Sequence, residues 1–184
     1  KVKLNLASEA GGVREKFRTA KRDAKAMGHL TNGPWHDGKG SPFEGGHRVP
    51  FIARWPGQIP AASTSAQTIN LTDLLATIAS IVDVKLPDNA GEDSFDILPA
   101  LRDPSLADPI RPITIMQGDT QDNVLAVRSG RWKFMESKDG KQQTLFDLTQ
   151  DAGESKNIAA EHADVVKQLS TQLAQARDNG RTRN

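Results

Sequence analysis

Between Gly28 and Gly46 the chain is so dense in glycine, with Pro34 and Pro42 added, that no regular element survives there. A long irregular loop is uncommon in a compact domain and usually means function or disorder. Directly after it, Val49–Trp55 (VPFIARW) is short, largely apolar and closed by Pro56-Gly57, which predicts a buried strand. Leu71, Leu74, Leu75, Ile78 and Ile81/Val82 then recur at helical spacing. A helix is expected from about Leu71 to Val82, with Thr72 as N-cap and Asp73 in its first turn. Pro87 and Gly91 end it, and Ile97–Arg102 reads as a short helical turn.

From Ile113 the pattern changes. Ile113–Gln117, Asn123–Arg128, Trp132–Ser137 and Thr144–Asp147 are short runs of strand-type residues. Ser129-Gly130 separates two of them, and Lys138-Asp139-Gly140-Lys141 is a hairpin signal because Asp-Gly accepts positive φ. A small antiparallel sheet follows from this. The last expected element is a helix over Glu161–Arg177, with Val165, Val166, Leu169, Leu173 and Ala176 on one stripe and Gly180 beyond its end. One strand and one helix cannot make an α/β sheet, so the first half reads as the end of a larger α/β domain. The polar, basic Lys1–Met27 is expected to be a loop or a marginal helix.

Hydrophobic residues make up 36% of the 184 and aromatics 5%, lean for a free-standing core but outside the disordered range. The charges, 24 basic against 23 acidic, leave a net +1, which gives no long-range field for nucleic acid. No apolar run is long enough for a membrane span, and the polar start KVKLNLASEAGG is no signal peptide. The chain has no cysteine, so it holds no disulfide and no thiolate metal site.

The loop carries Lys39, His29, His36, His47, Glu44 and Arg48 among its glycines. A lysine and an arginine set among glycines can approach an oxyanion closely. From spacing alone, a solvated turn with an exposed Lys39 is the better reading, because a loose Gly-Lys pairing is a weak motif. Glu44 and Arg48 are expected to be a buried, paired, architectural couple, with Gly45 and Gly46 supplying unusual backbone angles. His47 is expected to pack or hydrogen-bond there, and Trp55, Trp132 and Phe134 to be core.

Gly38–Gly57, GKGSPFEGGHRVPFIARWPG, closely resembles the second signature region of type I, formylglycine-dependent sulfatases (arylsulfatases) of the alkaline-phosphatase-like superfamily. Four further segments follow in the family's order. They are Leu71–Thr77 (LTDLLAT), Gly91–Ser94 (GEDS), Val127–Lys133 (VRSGRWK), and Leu145-Phe146-Asp147-Leu148 with Asp151, Glu154 and Asn157. The resemblance covers Gly28 to about Gly180.

The resemblance implies a fold class: α/β, the end of an alkaline-phosphatase-like sulfatase domain plus a small C-terminal antiparallel sheet with a packed C-terminal helix. It divides the chain into a poorly matched 1–27, a catalytic-domain end at 28–110 and an antiparallel subdomain at 111–184. In the family a formylglycine hydrate attacks the sulfur of a sulfate ester, while calcium and basic side chains neutralise the sulfuryl oxygens. The lysine five residues before Glu-Gly-Gly contacts the sulfate, and that position is Lys39 here. His29, in G-H-x-x-N, is a second catalytic candidate, as a proton donor or hydrogen-bonding group. Asn32, Trp35 and His36 are the substrate-binding candidates, with packing the safer role for Trp35. The sequence departs from the family at Pro34-Trp35-His36-Asp37, where relatives carry P-L-R-G.

The family's nucleophile string, Cys or Ser followed by x, Pro or Ala, x, Arg, does not occur here, and no acid before Gly28 lies in an Asp-Asn-Gly context. Formylglycine and the calcium ligands are therefore expected outside this chain, and no metal ligand is assigned on it. The expected whole is a sulfuric ester hydrolase, periplasmic or secreted, whose missing N-terminal half is this chain's partner; alone, the chain is expected to be inactive. A related phosphoester hydrolase and a non-catalytic glycan- or protein-binding module are the alternatives.

Overall fold

The computed structural model describes residues 20, 23, 24, 26–118 and 124–183. Most of the expectation for Lys1–Met27, and Asn123 at the head of one expected strand, lie outside the described residues. The elements are α1 (Glu44–His47), α2 (Asp73–Ile81), α3 (Leu98–Arg102), β1 (Thr114–Gln117), β2 (Leu125–Ser129), β3 (Trp132–Glu136), β4 (Gln143–Asp147), a 3-10 turn (Ala159–Glu161) and α4 (Ala163–Asn179).

The four strands form an antiparallel meander in the order β1-β2-β3-β4. The Asp-Gly signal is realised: Gly140 takes φ 69° and Ser137 N–H donates to Gln142 O at the β3–β4 turn. Alternation along the strands gives the sheet two apolar faces. On one, Ile113, Val127, Phe134 and Leu145 pack against Leu169 and Leu173 of α4, with Val165, Val166 and Ala176 beside them. The helical stripe read from the sequence is thus the face that docks, and Gly180 (φ 65°) ends the helix in the left-handed conformation. On the other face, Met116, Ala126, Met135, Phe146 and Leu148 meet Phe43 from the glycine-rich loop. The loop therefore covers the side of the sheet that α4 does not.

The first half departs from expectation in three respects. Val49–Trp55 is not a buried strand: it is extended without a ladder partner among the described residues, and Ile52 is 92% exposed. A strand needs a neighbour to take its N–H and C=O groups, and the meander lies elsewhere. Second, α2 exists, but its apolar stripe faces outward, with Leu71, Leu74, Leu75, Ile78, Ile81 and Val82 between 40% and 63% exposed. Its buried side is Asp73, Thr77 and Ala79.

Third, Thr72 sits at the N-cap position of α2 as expected but makes no side-chain cap bond; it already has helical φ and ψ, and its hydroxyl donates to Asp93 O. Asp73 holds the start of the helix instead, accepting from Asn70 N–H at 2.7 Å and Phe95 N–H at 3.0 Å. Asp73 also meets the buried Arg111 guanidinium at 2.5 Å. Thr77 Oγ1 donates to Asp73 O and accepts from Ile97 N–H, and Ser94 Oγ bridges Thr72 O and Ala76 N–H. These bonds explain how the polar side of α2 can be the buried one: every group on it is satisfied. Among the described residues no helix is long and apolar enough to cross a membrane.

Candidate functional site

The glycine-rich loop is held from beneath by one buried carboxylate. Glu44, at the start of α1 and 2% exposed, accepts from Arg48 Nε at 2.8 Å, Arg128 Nη1 at 3.2 Å and Lys133 Nζ at 3.1 Å. Lys133 Nζ also meets Glu154 Oε1 at 2.8 Å, and Glu154 Oε2 accepts the Glu44 N–H at 2.6 Å. Arg128 and Lys133 are directly paired across β2 and β3, so strand alternation puts both on the loop side of the sheet. The pairing of Glu44 with Arg48 is as the sequence suggested; Arg128, Lys133 and Glu154 are the members it did not reveal. Each lies in a segment with a family resemblance, but only the fold brings them to Glu44.

Burial pushes the Glu44 carboxyl up, and the charges of Lys133, Arg128 and Arg48 outweigh it, holding the carboxyl below the ordinary glutamate value. A carboxylate so depressed adds stability above about pH 4.3, its unfolded value, and that stability is lost as the pH falls through the lower folded value. The urea midpoint of the wild type should therefore exceed that of Glu44→Gln clearly at pH 7, and the gap should narrow by pH 3. An equal gap at both values would mean that the Glu44 charge adds nothing. His47 is lowered too: burial and the Lys133 ammonium push its imidazole down, so it is predominantly neutral at pH 7.

Gly45 and Gly46 do not supply unusual backbone angles, since neither has positive φ. They are required by crowding. A Cβ on Gly45 would run into the carbonyl oxygens of His36 and Asp37, and one on Gly46 into that of Ser41. Positive φ occurs instead at Asp37, φ 57°, where the resemblance called for glycine. Aspartate tolerates that conformation better than most residues.

Of the substrate-binding candidates, His36 stacks on Phe43 with ring centres 3.9 Å apart, and its Nδ1 lies 3.2 Å from Glu154 O. Trp35 lies under the Arg48 guanidinium, 3.8 Å from ring centre to Cζ. Asn32 Nδ2 donates to Asp37 O. All three hold the loop's own shape. The two catalytic candidates, Lys39 and His29, are exposed. Among the described residues the Lys39 ammonium has no hydrogen bond or ion pair, while the glycines on either side of it are at least half-buried. The arrangement is a fixed loop presenting one uncommitted cation, suited to contacting an oxyanion.

A family model described as N-sulphoglucosamine sulphohydrolase, C-terminal, matches residues 33–179. An N-acetylgalactosamine-6-O-sulfatase of Bacteroides thetaiotaomicron is 31% identical, the match covering 79% of this chain and 30% of that protein. The N-acetylgalactosamine-6-sulfatase of Canis lupus familiaris is 42% identical over 56% of this chain and 19% of its own length. A solved structure from work on glycosaminoglycan metabolism by Bacteroides thetaiotaomicron superposes with a TM-score of 0.74 at 28% identity, covering 86% of this chain and 35% of that one. The chain thus spans about a third of the length of these relatives or less.

Proposed function

We propose, from the premise that this chain belongs to the N-sulphoglucosamine sulphohydrolase C-terminal family of sulfatases, that it supplies the sulfate-contacting Lys39 to a hydrolase of sulfuric esters. The observation that carries the reading is the uncommitted ammonium on a loop fixed by the Glu44, Lys133 and Glu154 contacts. A lysine ammonium is a compact cation that can neutralise a sulfuryl oxygen and steady a departing alkoxide. His29 is the second group we assign to the substrate side. Asn32, Trp35 and His36 shape the loop that presents both. The names of the relatives support a 6-sulfated amino sugar as substrate class, and the family supports a periplasmic or secreted setting.

Calcium and formylglycine are assigned outside these 184 residues. Formylglycine by the cysteine route has no precursor here. Glu44 and Glu154 do not fit a calcium site, because both already face Lys133 and Glu44 also faces two arginines. The exposed apolar side chains on the outer face of α2 and along Val49–Ile52 support a buried contact in the working protein. We assign that contact to the remainder of the sulfatase domain.

In the complete gene product containing this chain, Lys39→Ala should lower kcat on N-acetylgalactosamine 6-sulfate by roughly 10²–10³-fold, as for loss of one oxyanion-stabilising donor, measured as sulfate released. A loss below threefold would remove Lys39 from the site. The 184 residues alone, with calcium, should release no sulfate above background.

A further inference from the structure

A cavity of about 610 Å³ opens beside the sheet, lined by Arg48, Arg111, Arg128 and Arg131 together with hydroxyl side chains such as Thr64 and Thr149. No Asp or Glu side chain lines it among the described residues. We propose that this cavity is a binding site for an oxyanion, a sulfate or carboxylate, arriving either as free sulfate or as a charged group of an acidic saccharide.

Three features support it. Each guanidinium is gripped by a carboxylate that does not line the cavity: Glu44 holds Arg48 and Arg128, Asp73 holds Arg111, and Asp147 holds Arg131. That grip fixes the planar forks in advance, so that little side-chain freedom is lost when an anion arrives. The grip also leaves donors unspent. Among the described residues Arg48 is hydrogen-bonded only through Nε, so its terminal nitrogens remain able to donate to an oxyanion. Finally, among the described residues Arg48, Arg111, Arg128, Arg131 and Lys133 pair only with Glu44, Asp73, Asp147 and Glu154, which leaves one positive charge unmatched within that set. Burial lowers the Arg128 basicity and the adjacent Arg48 charge lowers it further, against the pull of Glu44 and Glu154. The site does not use Lys39 and stands independently of the role proposed for it.

The test is calorimetry on the 184-residue chain with a chondroitin 6-sulfate hexasaccharide, with inorganic sulfate as competitor. Arg131→Gln removes a donor; Thr64→Glu adds a carboxylate to the cavity wall from an exposed position that takes no part in the ion pairs. Circular dichroism confirms that each variant is folded. Hexasaccharide binding should weaken at least tenfold in both, while Lys141→Ala, at an exposed position of the β3–β4 turn that does not line the cavity, changes it less than twofold. Competition by millimolar sulfate would identify the free anion as sufficient; absence of competition would make the saccharide the source. No binding by the folded chain would overturn the proposal. So would binding that Lys39→Ala abolishes and Thr64→Glu leaves intact, which would place the anion at the Lys39 loop.

Discussion

Lys133→Ala is expected to cost the chain about 3–5 kcal/mol, the range for removing one partner from a buried charge network. The Lys133 side chain has no exposure and is the cation shared by Glu44 and Glu154. Without it two carboxylates, each 2% exposed, are left facing one another. Arg128 and Arg48 pair directly with Glu44 and not with Glu154, so most of the burden falls on Glu154 and on the Glu44 N–H bond that Glu154 accepts. For a chain of this size the loss corresponds to a fall in melting temperature of roughly 6–20 °C. Urea unfolding followed by circular dichroism measures it. Lys133→Met separates charge from volume, since it retains most of the packing. Should Lys133→Met cost less than about 1 kcal/mol, the pairing would contribute little, as for many exposed pairs.

Asp73→Ala is expected to have a comparable effect, about 3–5 kcal/mol, through a different part of the molecule. Asp73 is fully buried and Arg111 nearly so. The aspartate joins Asn70 N–H, Phe95 N–H and the Arg111 guanidinium, so its loss strands a buried cation and two backbone donors together. Hydrogen exchange locates the damage: protection at Phe95 and Asn70 should fall before protection in β2 and β3 does. Uniform loss across the sheet would show instead that α2 and the meander unfold as one unit. Asp73→Asn keeps an acceptor for part of the set and should cost less than Asp73→Ala.

Much of the C-terminal half was legible in the residues. Short runs of strand-type residues named the four strands within a residue or two at most ends, and Asp139-Gly140 fixed one hairpin. The stripe from Val165 to Ala176 gave both the helix and the face that meets the sheet. These features are local, and a period of two or 3.6 records them directly. The pairing of Glu44 with Arg48, one helical turn apart, was legible as well.

The same kind of signal misled at α2. Helical spacing shows which residues share a face and is silent on what covers that face. The Leu74 and Ile78 stripe reads as a core, yet the side satisfied by Arg111, Ser94 and Ile97 is the one that is buried. Val49–Trp55 failed for a related reason, because a strand is defined by its partners. The sequence by itself determined the local elements of the meander, the final helix and a loop too rich in glycine to be either. Tertiary structure alone decided that Glu154, 110 residues from Glu44, binds its N–H, and that Lys133, 89 residues away, neutralises its charge. Local periodicity carries no record of such meetings, since they depend on how whole elements close upon one another.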